Sequence, residues 1–343
     1  MSGPVFVGFG DLMLRLETPG HERIVQAESF GARFTGAEAN VAVMLAGFGL
    51  EARIASKVPD NAVGQACINY LRRYGVDTTA IARGGERLGL FFLETGASQR
   101  ASTVVYDRGH TAFGEADRAD FDWARILDGA SWLHFSGTAP ALGESVRASL
   151  REGLVAARAA GVTVSCDLNY RARLWSPDEA RRGMEELAPY IDVLVGNEED
   201  AAVVFGIKAE GSDVVQGELP LASYLQVAEQ LMERFDFRAV ATSLRTSVSA
   251  SINRWAALVA DRTGYAVSRT YEIHPIVDRV GGGDSFAAGL IYSMLQGENL
   301  QSCVDFAAAA SCLKHSIPGD FNLVDIDEVR ALVGGDASGR VRR

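Results

Sequence analysis

Lysine is nearly missing from this chain: of 33 basic residues in 343, only Lys57, Lys208 and Lys314 are lysines. Chemistry that needs one particular lysine, such as Schiff-base formation on a carbonyl substrate, therefore has few candidates. Only Lys57 lies near a strand end, and no partner motif surrounds it. No Gly-x-x-x-x-Gly-Lys-Ser/Thr segment occurs, which excludes a P-loop nucleotide site. Cysteine is scarce as well. Cys67, Cys166, Cys303 and Cys312 are scattered, without CxxC or Cys/His ligand spacing, so buried free thiols are expected and neither a disulfide framework nor a zinc site is. No run of about 18 apolar residues suggests a membrane span. Met1-Ser2-Gly3-Pro4 lacks the charged start of a signal peptide, which predicts a cytoplasmic protein with no membrane partner. An excess of positive charge is also absent: 33 Lys+Arg against 44 Asp+Glu leave a net charge of −11. That argues against nucleic acid as a partner, and any polyanion site must be local.

The chain is 48% hydrophobic and 22% charged, and it is longer than one core usually grows, so one large domain with an elaboration is expected. Val5 to Gly10 reads as a buried strand, Leu12 to Leu16 as a half-exposed one, and Gly36 to Gly49 as a buried helix. A strand at 53–58 and a helix at 61–73 follow. Between Arg83 and Gly114 the rhythm breaks: 88–94 and 101–106 look like paired strands with no helix between them, the pattern of a lid. Strands at 131–135, 162–166, 191–195 and 238–243 then alternate with helices at 143–160, 178–188, 197–205 and 221–234, the signature of a parallel sheet covered by helices. Strand-like 248–260 and 267–273 precede helices near 283–297, 300–316 and 325–334. The tail from Asp336 to Arg343 reads as loose. In such a fold ligands sit beyond the carboxyl ends of the parallel strands.

Gly8-Phe9-Gly10 after a strand suggests a dinucleotide site, but Met13 stands where the third glycine belongs and the chain continues as a strand. The most informative segment runs from Asp278 to Gly289, where Gly281-Gly282-Gly283 lead into an apolar helix with Asp284 in its first turn. Backbone amides of such a loop can converge on an anion, and a carboxylate beside them can accept a proton from a substrate hydroxyl. A tight turn with Asp284 as helix cap is the alternative.

Asp278 to Gly289 resembles the carboxyl-terminal signature of the ribokinase/PfkB carbohydrate kinases, whose core reads Asp-Thr-x-Gly-Ala-Gly-Asp. Arg279 replaces the Thr and Gly282 the Ala. The resemblance implies a ribokinase-like α/β fold, a three-layer α/β/α domain with a mostly parallel central sheet and a small β-strand lid. The kinase domain would span 1–335, with lid segments at about 12–34 and 86–114. It also implies Asp284 as catalytic base and Gly281, Gly282 and Gly283 as an anion hole. Gly36, Ala37 and Asn40 lie in a block similar to the family's Gly-Gly-x-x-x-Asn-x-Ala sugar-binding motif, with Thr35 in place of the first glycine. Asn197 and Asp200 match the Asn-x-x-Glu motif that places Mg²⁺ through water, Asp200 being one methylene shorter than Glu. Ser243 and Arg245 resemble a loop beside the ATP phosphates, and the stretch containing Ala309 resembles the border of adenine.

The block Val105 to Ala112 is similar to one in 2-keto-3-deoxygluconate kinases, where Tyr and Arg meet the sugar acid. Tyr106 and Arg108 match, and Arg108 offers a fork suited to a carboxylate. Arg171, in Asp167-Leu168-Asn169-Tyr170-Arg171, matches a substrate-contacting arginine that fructokinases share, and Phe91 stands where these kinases often have Tyr. The resemblance thus implies ATP and Mg²⁺ as cofactors, with room for a monovalent cation. It implies transfer of the γ-phosphoryl group to the 6-hydroxyl of 2-keto-3-deoxygluconate, and a homodimer formed through the lid strands. The alternatives are a fructokinase-like ketose kinase and a non-catalytic sugar-acid-binding regulator.

Overall fold

The computed structural model describes residues 3–208 and 221–336. The opening apolar run forms β1 (Val5–Phe9), buried at all its positions, as a parallel strand covered on both faces must be. Next come β2 (Met13–Glu17), β3 (Gly31–Thr35), α1 (Ala37–Gly47), β4 (Glu51–Val58), α2 (Ala62–Arg72), β5 (Ile81–Arg83), β6 (Gly89–Glu94) and β7 (Thr103–Asp107). A short α3 (Trp123–Ile126) leads to β8 (Ala130–Ser136), α4 (Thr138–Ala141), α5 (Glu144–Ala159), β9 (Thr163–Asp167), α6 (Pro177–Leu187), β10 (Val193–Gly196) and α7 (Glu198–Phe205). The remaining elements are α8 (Leu221–Phe235), β11 (Ala239–Ser249), β12 (Ile252–Asp261), β13 (Gly264–Val267), β14 (Tyr271–Ile273), α9 (Gly282–Leu295), α10 (Leu300–Lys314) and α11 (Ile326–Val333).

Among the described residues the strands β5-β4-β1-β8-β9-β10-β11 lie side by side in parallel, and β12, β13 and β14 extend that sheet antiparallel. Alternation along the strands divides the core in two. Val193 and Val195 face the cluster that includes α1, α9 and α10, whereas Leu194 faces the cluster that includes α5, α6 and α8. The result is the expected three-layer α/β/α arrangement, with the loops after β1, β8, β9 and β10 all opening at one edge.

The lid is a separate four-stranded sheet in the order β3-β2-β6-β7. Its inner face carries Met13, Phe91 and Leu93, packed with Val104 and with Val280 beside the glycine loop. Strand β3 falls in what reads as a polar connection, because Gly31-Ala32-Arg33 show no apolar alternation; pairing with β2 at every residue supplies what the pattern lacks.

Two further boundaries differ from expectation. β11 does not stop at Ser243 but runs on to Ser249, paired with β12 through a turn at Ala250–Ser251. The Ser/Thr-rich stretch reads as loop, yet cross-strand bonds satisfy its backbone. The region 267–273 forms not one strand but the ends of β13 and β14. Of the tail expected to be loose, 337–343 lie outside the described residues.

Candidate active site

A cavity of about 520 Å³ opens between the strand-end edge and the lid, and α9 points its N-terminus into it. Gly281 caps that helix at φ 83, in the left-handed region, and a Cβ there would stand 2.1 Å from the Asp320 carbonyl oxygen. Only glycine fits. Gly281, Gly282 and Gly283 line the cavity, and Asp284 follows in the first helical turn. Burial pushes the Asp284 carboxyl up to about 6; the Asn40 hydrogen bond pulls it down and the Asp320 charge pushes it further up. At neutral pH the carboxylate is ionised in most molecules and close enough to protonation to accept a proton readily.

Asn40, in α1, donates from Nδ2 to Asp284 Oδ2 at 2.6 Å. Gly36 allows this placement: it precedes the helix so tightly packed on β1's loop that a Cβ would lie 2.4 Å from the Asp11 carbonyl oxygen. Thr35, which stands where the resembled motif has glycine, puts Oγ1 3.0 Å from Asn40 Oδ1 and 2.6 Å from Asp320 Oδ2. Both partners are acceptor oxygens and the hydroxyl has one proton, so it donates to one of them at a time. Behind them Arg15, fully buried on lid strand β2, pairs with Asp320 and reaches Asp278 Oδ2 at 2.6 Å. A chain of contacts therefore runs from lid strand to base.

At the lid side of the cavity, Arg108 Nη2 donates to Asp11 Oδ2 at 2.9 Å and its guanidinium lies 5.7 Å over the Tyr106 ring. Its buried Nε has no hydrogen-bond partner. Phe91 packs against Tyr106 at a tilt of 42°, with centroids 5.7 Å apart. Ala37 lines the same wall, and Arg171, exposed after β9, lines the opposite one.

Toward the mouth, Asn197 caps α7, its Oδ1 accepting from the Asp200 amide at 2.8 Å, and both residues line the cavity. Asn197 is thus a helix cap that also faces the cavity. Burial raises the Asp200 carboxyl to about 6 against the pull of Arg171, and raises Asp167 to about 8 with the Asp200 and Asp284 charges adding to the effect. Crowded, cation-seeking oxygens of this kind suit Mg²⁺. Among the described residues no three acidic, His or Cys side chains converge as a direct metal cage, so a metal here would keep water in its shell. Ser243 and Arg245 lie on the extended part of β11 and line the same mouth, joined by Arg279, whose Nη2 donates to the Ala250 carbonyl at 2.7 Å.

One expected residue is not brought in. Ala309 is fully buried in α10, packed in the core against α9, because the Ala-rich face of that helix allows close helix contact; its side chain has no surface to offer adenine. Conversely, Asp11, Glu38, Asp167 and Arg279 line the cavity without having been given a role from sequence. For Asp11 and Asp167 the signal was position, since both sit at carboxyl ends of parallel strands. Glu38 accepts from the Ser136 amide at 2.7 Å and is raised by burial to about 7. Gly10 leaves room for that carboxylate. Lys57 pairs with Asp120 at 2.7 Å, away from the cavity.

The family model described as "pfkB family carbohydrate kinase" matches residues 7–322. A 2-dehydro-3-deoxygalactonokinase of Haloferax volcanii is 34% identical over 332 residues, covering 96% of this chain and 97% of the relative. A 5-dehydro-2-deoxygluconokinase of Clostridium perfringens is 28% identical over 89% of this chain and 86% of the relative. Among solved structures, a 2-dehydro-3-deoxygluconokinase of Thermotoga maritima superposes with a TM-score of 0.93 at 50% identity, over 97% and 99% of the two chains. An Escherichia coli ribokinase II in complex with ATP and Mg²⁺ superposes with a TM-score of 0.77 at 18% identity, over 97% and 99%, and shares the fold.

Proposed function

The chain belongs to the pfkB family of carbohydrate kinases, and from that premise we propose that it transfers the γ-phosphoryl group of ATP to the 6-hydroxyl of 2-keto-3-deoxygluconate. The observation that carries the reading is that one cavity holds a proton acceptor beside a glycine loop at α9 and, under the lid, an arginine poised for a carboxylate. The acceptor's hydroxyl faces Asp284, which takes its proton while Asn40 holds the carboxylate in place. Amides of Gly281 to Gly283 donate to the oxygens of the moving phosphoryl group. Arg108, with Nε uncommitted and Tyr106 beneath it, meets the acid group, and Arg171 closes the far side. Gly36 and Ala37 floor the sugar site, and Phe91 shapes its wall without offering a hydroxyl.

With so little lysine, the triphosphate is held by Ser243, Arg245, Arg279 and the loop amides. Asn197 and Asp200 would hold Mg²⁺ through water, and the metal when bound offsets phosphate charge. Most of the catalysis in such a transfer is positioning and electrostatics. A neutral ketose would bring no acid group to Arg108, whose charged partner would remain Asp11 alone, which disfavours fructose. The galacto epimer is the nearer competitor, since one of the full-length relatives bears that name.

The decisive experiment compares kcat/KM for 2-keto-3-deoxygluconate, its galacto epimer and fructose, with the Asp284→Asn variant alongside. Loss of a well-placed general base is expected to lower kcat by about 10²–10⁴-fold with sugar-acid binding retained. A clear preference for fructose refutes the carboxylate assignment. Undiminished turnover by Asp284→Asn refutes the base. Binding of sugar acid without any transfer by the parent favours a regulator.

A further inference from the structure

Two of the three lysines are surface features: Lys57 is paired with Asp120, and Lys208 is exposed. Lys314 is different. It ends α10 with no exposed surface, and among the described residues it forms no ion pair. Its ammonium donates to the Ile317 carbonyl oxygen at 3.0 Å and lies 3.5 Å from that of Asp278. Burying an ammonium carries a penalty of several kcal/mol, and a methionine would fill similar space without it. Burial does push its pKa down, although Asp278, Asp320 and Asp284 pull the other way.

The two carbonyls explain what the charge is for. Asp278 begins the connection that delivers Gly281 to Gly283, and Ile317 belongs to the turn that follows α10. The same two segments are clipped together by the Val277 amide on the His315 carbonyl at 2.8 Å and the Gly319 amide on Asp278 Oδ2 at 3.0 Å. In a trans peptide the carbonyl and the following N–H point in opposite directions, so a carbonyl drawn inward at Asp278 fixes the peptide plane from which the glycine loop departs. Lys314 does not line the cavity and so does not touch phosphate itself.

We propose that Lys314 is a positioning residue that serves as the built-in cation of the anion-binding loop, so that phosphoryl transfer by this chain requires no monovalent cation from solution. The inference rests on the kinase reading above.

Turnover of the parent with sugar acid, ATP and Mg²⁺ is measured in tetramethylammonium chloride and in potassium chloride at equal ionic strength. Rates equal within about twofold are expected; activation by potassium well beyond that overturns the inference while leaving the kinase reading intact. Lys314→Ala opens a space beside the same carbonyls. In tetramethylammonium it is expected to lose at least about tenfold in kcat, with a smaller change in the KM for ATP, and to recover most of the loss in ammonium or potassium chloride. Lys314→Met, which fills the space without charge, is expected to stay slow in every salt. A purely structural lysine would lower the melting temperature without any salt-dependent rate, so a folded Lys314→Ala that is either fully active or slow in all salts overturns the proposal. If Lys314→Ala fails to fold, the parent's salt response and the rate of Lys314→Met decide. A parent that transfers no phosphoryl group in any salt refutes the kinase reading, and the inference with it.

Discussion

Replacing Asn40 with leucine should move the pH dependence of the reaction toward alkali, by an amount the site geometry bounds. The Nδ2 donor sits 2.6 Å from Asp284 Oδ2 and stabilises only the ionised form of that carboxyl. Removing it leaves burial and the Asp320 charge raising the pKa, with Arg171 and Lys314 still opposing them, so the value moves up from about 6. Hydrogen bonds to charged groups contribute about 1.5–3 kcal/mol, and one pKa unit corresponds to about 1.4 kcal/mol, so the expected rise is about 1–2 units.

The sign follows from the role of the base. A protonated Asp284 cannot accept the hydroxyl proton, so kcat/KM for the sugar acid falls as pH drops through the Asp284 pKa. For the parent, with that pKa at about 6, about 90% of the base is ionised at pH 7. In Asn40→Leu the ionised fraction at pH 7 is about 10–50%. Asn40 also lines the sugar site, so a pH-independent loss is expected on top; the position of the acid limb, not its height, is therefore the readout. The assay is kcat/KM between about pH 5 and pH 9 for parent and variant at saturating ATP and Mg²⁺. A limb that stays where the parent's is, or moves toward acid, refutes the view that Asn40 holds the ionised base.

Two other substitutions test the proposed carboxylate site and the lid end of the contact chain. Arg108→Met removes the guanidinium proposed to meet the acid group, and kcat/KM on 2-keto-3-deoxygluconate should fall by about 10–150-fold while fructose, assayed in parallel, changes little; equal losses on both refute the carboxylate role. Arg15→Met leaves Asp278 and Asp320 facing each other without their buried cation, and urea titration at pH 7 should show a loss of about 3–5 kcal/mol. Burial already holds the Asp320 carboxyl above its ordinary value, and without Arg15 it rises further. A group whose folded pKa exceeds its unfolded one destabilises the fold above that range, so the deficit should shrink as the pH falls from about 7 and Asp320 takes up a proton. An unchanged urea midpoint refutes the network.

What the sequence makes legible here is local. The parallel sheet can be read because runs such as Val193–Gly196 are short, apolar and followed by helical periodicity. The glycine loop can be read because the whole stretch from Asp278 to Gly289 resembles a family signature; three glycines before an apolar helix fit a tight turn equally well. The extension of β11 to Ser249 could not be read, since its Ser and Thr residues carry loop chemistry and only the partner strand shows that they pair. The burial of Ala309 was hidden for a related reason: an Ala-rich helix suits both close packing and a ligand-facing surface, and only contact with α9 decides.

Long-range electrostatics is the part that no local pattern reports. Arg15 meets Asp320 across 305 positions of sequence and Asp278 across 263, and neither flanking segment marks the residue as anything but one more charge on an alternating strand. Yet that pairing joins the lid to the loop that carries the base. Because Thr35 bridges Asp320 and Asn40, and Asn40 holds Asp284, a lid displaced from its closed position would alter the surroundings of the carboxylate that must lose or accept a proton. The contacts that tie down the lid therefore also reach the Asp284 carboxylate, and the scarcity of lysine fits this design. Arginine, its fork bridging the carboxylates of Asp320 and Asp278, holds the lid, and the one buried lysine is kept for the loop.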